Sequence, residues 1–239
     1  MNSAATVREL VTQMPAATRV FEKFKIDYCC GGNTPLAEAC AKAGVDPREL
    51  EQELEQAGTA RGPQAAQFNE MTLPGLIDHI VGTHHLFTRE ELVRLDALMT
   101  KVVSVHGNNH PELREASALL KKLGDDLNPH MLKEERVLFP YITQLDRSAT
   151  LKTAAPFAPF GTVKNPVRMM MMEHDVAGEI LRELRRVTSD YAVPADVCIS
   201  YKTLFEALEA LERDLHQHIH LENNILFPKA IELERMIAS

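Results

Sequence analysis

Tryptophan is absent from the 239-residue chain, and Phe, Tyr and Trp together make up only 5% of it. Aliphatic side chains must therefore fill the core, and with 45% apolar residues they suffice for a sizeable one. Positive charge is also short: 26 Lys and Arg against 34 Asp and Glu leave a formal net charge of −8. That deficit argues against a nucleic-acid surface, which needs clustered Lys and Arg. No run reaches the ~20 apolar residues of a membrane span. The opening MNSAATVREL puts Glu9 where a secretory signal would be apolar. Cysteine is scarce: Cys29 and Cys30 are adjacent, Cys40 and Cys198 stand alone, and no disulfide framework is visible. The expectation is a soluble cytoplasmic protein with no nucleic-acid and no membrane partner.

Convincing strand alternation is missing as well, so the fold class reads as all-α. The length allows one domain or two. Residues 1–57 read as a small helical unit: Val7, Leu10, Val11, Met14, Val20, Phe21 and Phe24 have helical spacing, DYCCGGN breaks it, and two short helices split by Gly44 and Pro47 follow. Residues 58–70, with Gly58, Gly62 and Pro63, read as a linker. Residues 71–239 read as four long helices, at about 73–106, 111–145, 166–191 and 195–228 by helical period. The stretch 146–165, with Pro156, Pro159 and Gly161, reads as an irregular crossover. Four helices of that length form a four-helix bundle.

What the chain does contain is a phrase written twice. HMLKEERVLFP begins at His130 and HIHLENNILFP at His218; both read H-x-x-x-E-x-x-x-L-F-P. The offset is 218 − 130 = 88 residues, and a histidine precedes each copy at a similar distance, His85 by 45 and His174 by 44. A helix with a histidine followed by a helix with H-x-x-x-E has therefore been duplicated. Residues i and i+4 share a helix face. In each helix these positions fall on the apolar stripe, as in Leu204, Leu208, Leu211, Leu215, His218, Glu222, Leu226.

Six ionisable side chains pointing into a core need partners, because burying them alone costs several kcal/mol each. A hydrogen-bonded His–Glu network is one answer and a metal site is the other. Four imidazoles and two carboxylates exceed a closed tetrahedral zinc site. They suit two metals with two histidines each and both carboxylates bridging. Mixed imidazole and carboxylate ligands with open positions point to two non-haem iron ions, joined by an oxo or hydroxo bridge. The E-x-x-H spacing of ferritin-like di-iron bundles is not the spacing here.

The doubled motif resembles the hemerythrin-like fold. Together with DYCCGG at 27–32, LIDHI at 76–80, EHDVAGE at 173–179 and HLENNILFP at 220–228, the chain resembles the repair of iron centres family nearly throughout. The resemblance implies His85, His130, His174 and His218 as iron ligands, Glu134 and Glu222 as bridges, and acidic Glu173 and Asp126 beside a route to the irons. It implies repair of iron–sulfur clusters damaged by nitrosative or oxidative stress, with the protein as iron donor. Proteins with damaged clusters are then the partners, NO or O2 the small ligand, and a homodimer is a further expectation. Reduction of NO at the irons, or carriage or sensing of O2 or NO, are the alternative readings.

Other residues carry expectations too. Cys29 and Cys30 are either reduced thiols beside a Gly-Gly turn or exposed reactive thiols that handle iron, sulfur or NO. Cys40 and Cys198 read as buried. His216 and His220 read as a solvated face, His106 and His110 as helix-end residues. His84 competes with His85 for the ligand role, and the stripe favours His85. The methionine run 169–172 reads as core filling. Pro129 directly precedes His130 and interrupts the helix ladder there.

Overall fold

The structure, a computed structural model, describes residues 5–14, 16–59 and 67–238. The expected linker at 58–70 lies for the most part outside them; at its end Gln67–Glu70 form a helical turn. Among the described residues there is no strand, only an isolated bridge between Thr6 and Pro35, and no helix is long and apolar enough to cross a membrane. The chain divides into two compact units. One comprises the residues up to Ile77, Thr143–Pro156 and the residues from His216 on; the other comprises Asp78–Ile142 and Phe157–Leu215.

In the first unit, α1 (Val7–Gln13) starts on a capping box: Thr6 Oγ1 accepts from Glu9 N at 3.2 Å, and Glu9 Oε2 accepts from Thr6 N at 2.8 Å. α2 (Ala17–Lys23), α3 (Leu36–Ala43) and α4 (Pro47–Thr59) follow. Gly44 ends α3 at φ 67°, a left-handed conformation natural to glycine. Val7, Val11, Val20, Phe21, Leu36, Cys40, Leu50 and Leu54 close a small core.

The long helices of the chain follow, divided between the two units as stated above. Leu73–His79 runs through a π-helical stretch, Ile80–His85, into Leu86–His106. Glu112–Lys133 runs through Glu134–Leu138, also π-helical, into Phe139–Leu151. Lys164–Val187 stands alone, and Ile199–His220 runs through π-helical Leu221–Leu226 into Phe227–Ala238. Leu95, Met99, Leu120, Leu123, Leu181, Leu184, Leu204, Leu208 and Leu211 interlock in one apolar core, as the missing aromatics require.

Several boundaries differ from the periodicity. The helix of 139–151 runs six residues into the expected crossover, leaving 152–163 as the connection. The third helix stops at Val187, because Ser189, Asp190 and Tyr191 all take positive φ. The methionine run is not core throughout: Met170 is buried, whereas Met169 and Met172 are 51% and 58% exposed. At the helical period four consecutive residues cannot all face one core.

Candidate metal centre

His130 and Glu134 stand one turn apart where α-helix gives way to π-helix, and His218 and Glu222 stand the same way in the second copy. His85 closes its own π-helical stretch, and His174 lies midway along Lys164–Val187. None of the six side chains' residues is more than 2% exposed. The prolines of the two L-F-P phrases, Pro140 and Pro228, each occupy the second position after a π-helical stretch. Proline has no N–H to return to the i−4 carbonyl, so the ladder is already broken where the helix widens. Single π turns of this sort are frequent at functional sites.

Carboxylates set the outer nitrogens of two rings. His130 Nδ1 lies 2.8 Å from Glu173 Oε2, and Lys133 Nζ hydrogen-bonds the same carboxylate. His85 Nδ1 lies 2.7 Å from Glu135 Oε1, which Arg89 Nη2 also reaches at 2.7 Å. An ionised carboxylate only accepts, so Nδ1 carries the proton in both rings. Burial pushes the Glu173 carboxyl up, but hydrogen bonds from Lys133 and His130 outweigh it and hold it below its usual range. Glu135 is lowered in the same manner: burial opposes, and His85 and Arg89 prevail.

The inner nitrogens then face one another and the buried carboxylates. His130 Nε2 is 3.3 Å from Glu134 Oε2 and 3.0 Å from His174 Nε2. His85 Nε2 is 3.5 Å from Glu134 Oε2, and His218 Nε2 is 3.0 Å from Glu222 Oε1. A neutral imidazole protonated at Nδ1 turns a lone pair, not a proton, toward Glu134. Lone pair against carboxylate repels unless a cation sits between them. Two nitrogens bound at a right angle to one metal, each at about 2.1 Å, would stand about 3.0 Å apart. The donor set therefore fits a metal. Ligand atoms of His85, Glu134, His218 and Glu222 all lie within 4.8 Å of one another, as do those of His130, Glu134, His174 and Glu222. The two groups have Glu134 and Glu222 in common.

Of the remaining histidines and cysteines, some lie where the sequence placed them and others do not. His84 is buried beside His85 and is held by Asp214, Nδ1 to Oδ1 at 2.9 Å; the ligand groups take His85. His220 is not on a solvated face: it is 2% exposed, bonded to Asn224 at 2.9 Å and packed on the Tyr28 ring. Burial, reinforced by Arg8, pushes its pKa down to about 4. His216 pairs with Glu22 at 2.9 Å. Both histidines face the N-terminal helices, which period alone could not reveal. Cys29 is buried at 4% exposure and Cys30 is half-buried, so the pair is not simply exposed. Cys198, expected to be buried, is exposed, with Sγ 3.2 Å from His106 Nε2. Asp126 is exposed on the helix that carries His130. The signal for Glu135 was its place beside Glu134 in KEER, one residue off the stripe, where it reaches another helix instead of the core.

Comparison with known proteins agrees with this architecture. The family described as hemerythrin HHE cation binding domain matches residues 76–230, and a domain of unknown function (DUF542, ScdA_N) matches residues 3–58. The iron-sulfur cluster repair protein YtfE of Salmonella schwarzengrund is 36% identical over 224 residues, covering 93% of this chain and 94% of the relative. The protein of the same description from Enterobacter sp. (strain 638) is 36% identical over 223 residues with the same coverage.

Proposed function

The chain belongs to the family of the iron–sulfur cluster repair protein YtfE, and from that premise we propose that it holds two non-haem irons on His85, His130, His174 and His218, bridged by Glu134, Glu222 and an oxo or hydroxo group, and supplies iron to damaged iron–sulfur clusters. The observation that carries this reading is the pair of buried His/Glu groups with two glutamates in common. Iron is here the cargo, and damaged clusters in other proteins are its destination.

The side chains divide the labour. Glu173 and Glu135 keep the proton on Nδ1 of His130 and His85, which fixes the rings and leaves Nε2 for the cation. Glu134 and Glu222 offset the charge of the cations in a pocket where water does not. Lys133 and Arg89 neutralise the outer carboxylates, so the buried set carries less net negative charge when empty. When bound, two irons supply an exchangeable metal store with open coordination positions. Glu173, about a third exposed, joins a ligand ring to solvent and is the group through which a proton would reach it.

Metal analysis of anaerobically purified protein tests the proposal. Two irons per chain are expected, and a His130→Ala/His218→Ala variant should lose both while keeping its helical circular dichroism. A single zinc, or iron retained in the variant, contradicts it.

A further inference from the structure

The metal site described above uses no sulfur, yet a second cluster of metal-ligating atoms lies in the first unit. The sequence D-Y-C-C-G-G winds round one carboxylate oxygen. Asp27 Oδ1 accepts from the backbone N–H of Cys29 at 3.2 Å, Cys30 at 2.9 Å and Gly31 at 3.0 Å, and from the Cys29 thiol at 3.4 Å. The turn is tight: a Cβ at Gly31 would fall 2.8 Å from the Asp27 carbonyl oxygen. The effect is to bring both sulfurs and the carboxylate to one side. Cys29 Sγ and Cys30 Sγ are 3.8 Å apart, and the ligand atoms of Asp27, Cys29 and Cys30 all lie within 4.8 Å of one another.

These spacings have a meaning. Two thiolates bound tetrahedrally to one metal, each at about 2.3 Å, stand about 3.8 Å apart; a thiolate and a carboxylate oxygen stand about 3.5 Å apart. The observed sulfur separation is 3.8 Å, and a carboxylate oxygen of Asp27 lies within 4.8 Å of both sulfurs. We infer that Asp27, Cys29 and Cys30 form a second metal site, for a thiophilic divalent cation such as zinc or ferrous iron. It supplies three protein ligands and leaves a fourth position open, the pattern of exchangeable sites as distinct from closed structural ones. Thiolate ligands select such cations over magnesium or calcium.

The protonation states agree. The hydrogen bond with Cys30, burial and the charge of Asp27 push the Cys29 thiol well up. Asp27 stays ionised: burial opposes, but the N–H groups of Gly31 and Cys30 hold it below its usual range. Without a cation the Cys29 thiol keeps its proton. On binding, the S–H bonds of the two cysteines break, two metal–sulfur bonds form, the protons leave to solvent, and no electron moves. The loop is also held in place for it. Asn223 Nδ2 donates to Cys29 O at 3.3 Å, Asn224 Nδ2 donates to Tyr28 O at 3.0 Å, and Arg8 Nε donates to Asn224 Oδ1 at 2.7 Å. The inference stands independently of cluster repair.

Anaerobic titration of the full chain with cobalt(II) tests it, because thiolate-to-cobalt charge-transfer absorption reports sulfur ligation alone. The band should saturate at one cobalt per chain. It should vanish in Cys29→Ser/Cys30→Ser and need at least tenfold more cobalt in Asp27→Asn, whose side-chain oxygen still caps the turn. Iron content and circular dichroism, read on the same samples, should not change. No band in the native chain, or an undiminished one in the double variant, overturns the inference. Should the double variant misfold, Cys30→Ser alone, at the half-buried position, decides: tenfold weaker binding is expected, and unchanged binding overturns it.

Discussion

Glu173 and Glu135 show how much a single side chain decides here. Each takes the outer nitrogen of an imidazole proposed as a ligand, at 2.8 and 2.7 Å, and each is tied to a cationic side chain on its own outer side. Outer partners of this kind are worth about 10–100-fold in metal affinity. Glu173→Gln or Glu135→Gln should therefore weaken iron retention by about that factor against a competing chelator. Retention equal to that of the native chain would deny them the role. A second prediction concerns Cys198. The hydrogen bond with His106, then the N–H of Tyr201 at the start of its helix, lower its pKa to about 7. Thiolate is the nucleophile, so its alkylation rate should rise through about pH 7 and level off above. In His106→Ala the rise should move to higher pH. A midpoint unchanged by that substitution would contradict the pairing. The i, i+4 spacing and the stripe made the six ligand candidates readable from the sequence. Cys198 was not, because exposure at a helix start depends on which chain segment passes by, and period does not encode that.

At the level of the helices, the π-helical stretches at 80–85, 134–138 and 221–226 were not legible from periodicity, since the stripe keeps an ordinary i, i+4 spacing through them, as His218, Glu222 and Leu226 do. The long helices themselves were legible, because leucine dominates their inward faces. Leu123, fully buried in the shared core, should cost about 2–5 kcal/mol when cut to alanine, read as a lower urea midpoint. A cost under ~0.5 kcal/mol, typical of surface positions, would mean the core is misassigned. The π-helical stretch of 221–226 also carries Asn223 and Asn224, which hold the Cys-Cys loop. Asn224→Ala removes the bond to Tyr28 O, the acceptor for Arg8 and the bond to His220 together. Native-state alkylation of Cys29 should then quicken at least tenfold; an unaltered rate would show that the loop does not depend on this anchor. The sequence offered no sign of this contact, which joins residues 196 apart.

For the whole molecule, composition set useful bounds: the acidic balance and the aliphatic, aromatic-poor core are consistent with an all-helical carrier of a buried cation site. The duplication is the larger lesson. Two copies of a helix pair bring four histidines and two glutamates into one buried set, which neither copy could assemble alone. The measurement that tests the central claim most directly is isotope transfer. The chain, loaded with an enriched iron isotope, is mixed anaerobically with an iron–sulfur enzyme whose cluster has been damaged by peroxide, and the isotope in the rebuilt cluster is read by Mössbauer spectroscopy. The account predicts label in the client's cluster together with recovered client activity, and neither with the His130→Ala/His218→Ala variant. A client that recovers without label, or that stays damaged while the chain keeps its iron, would contradict it.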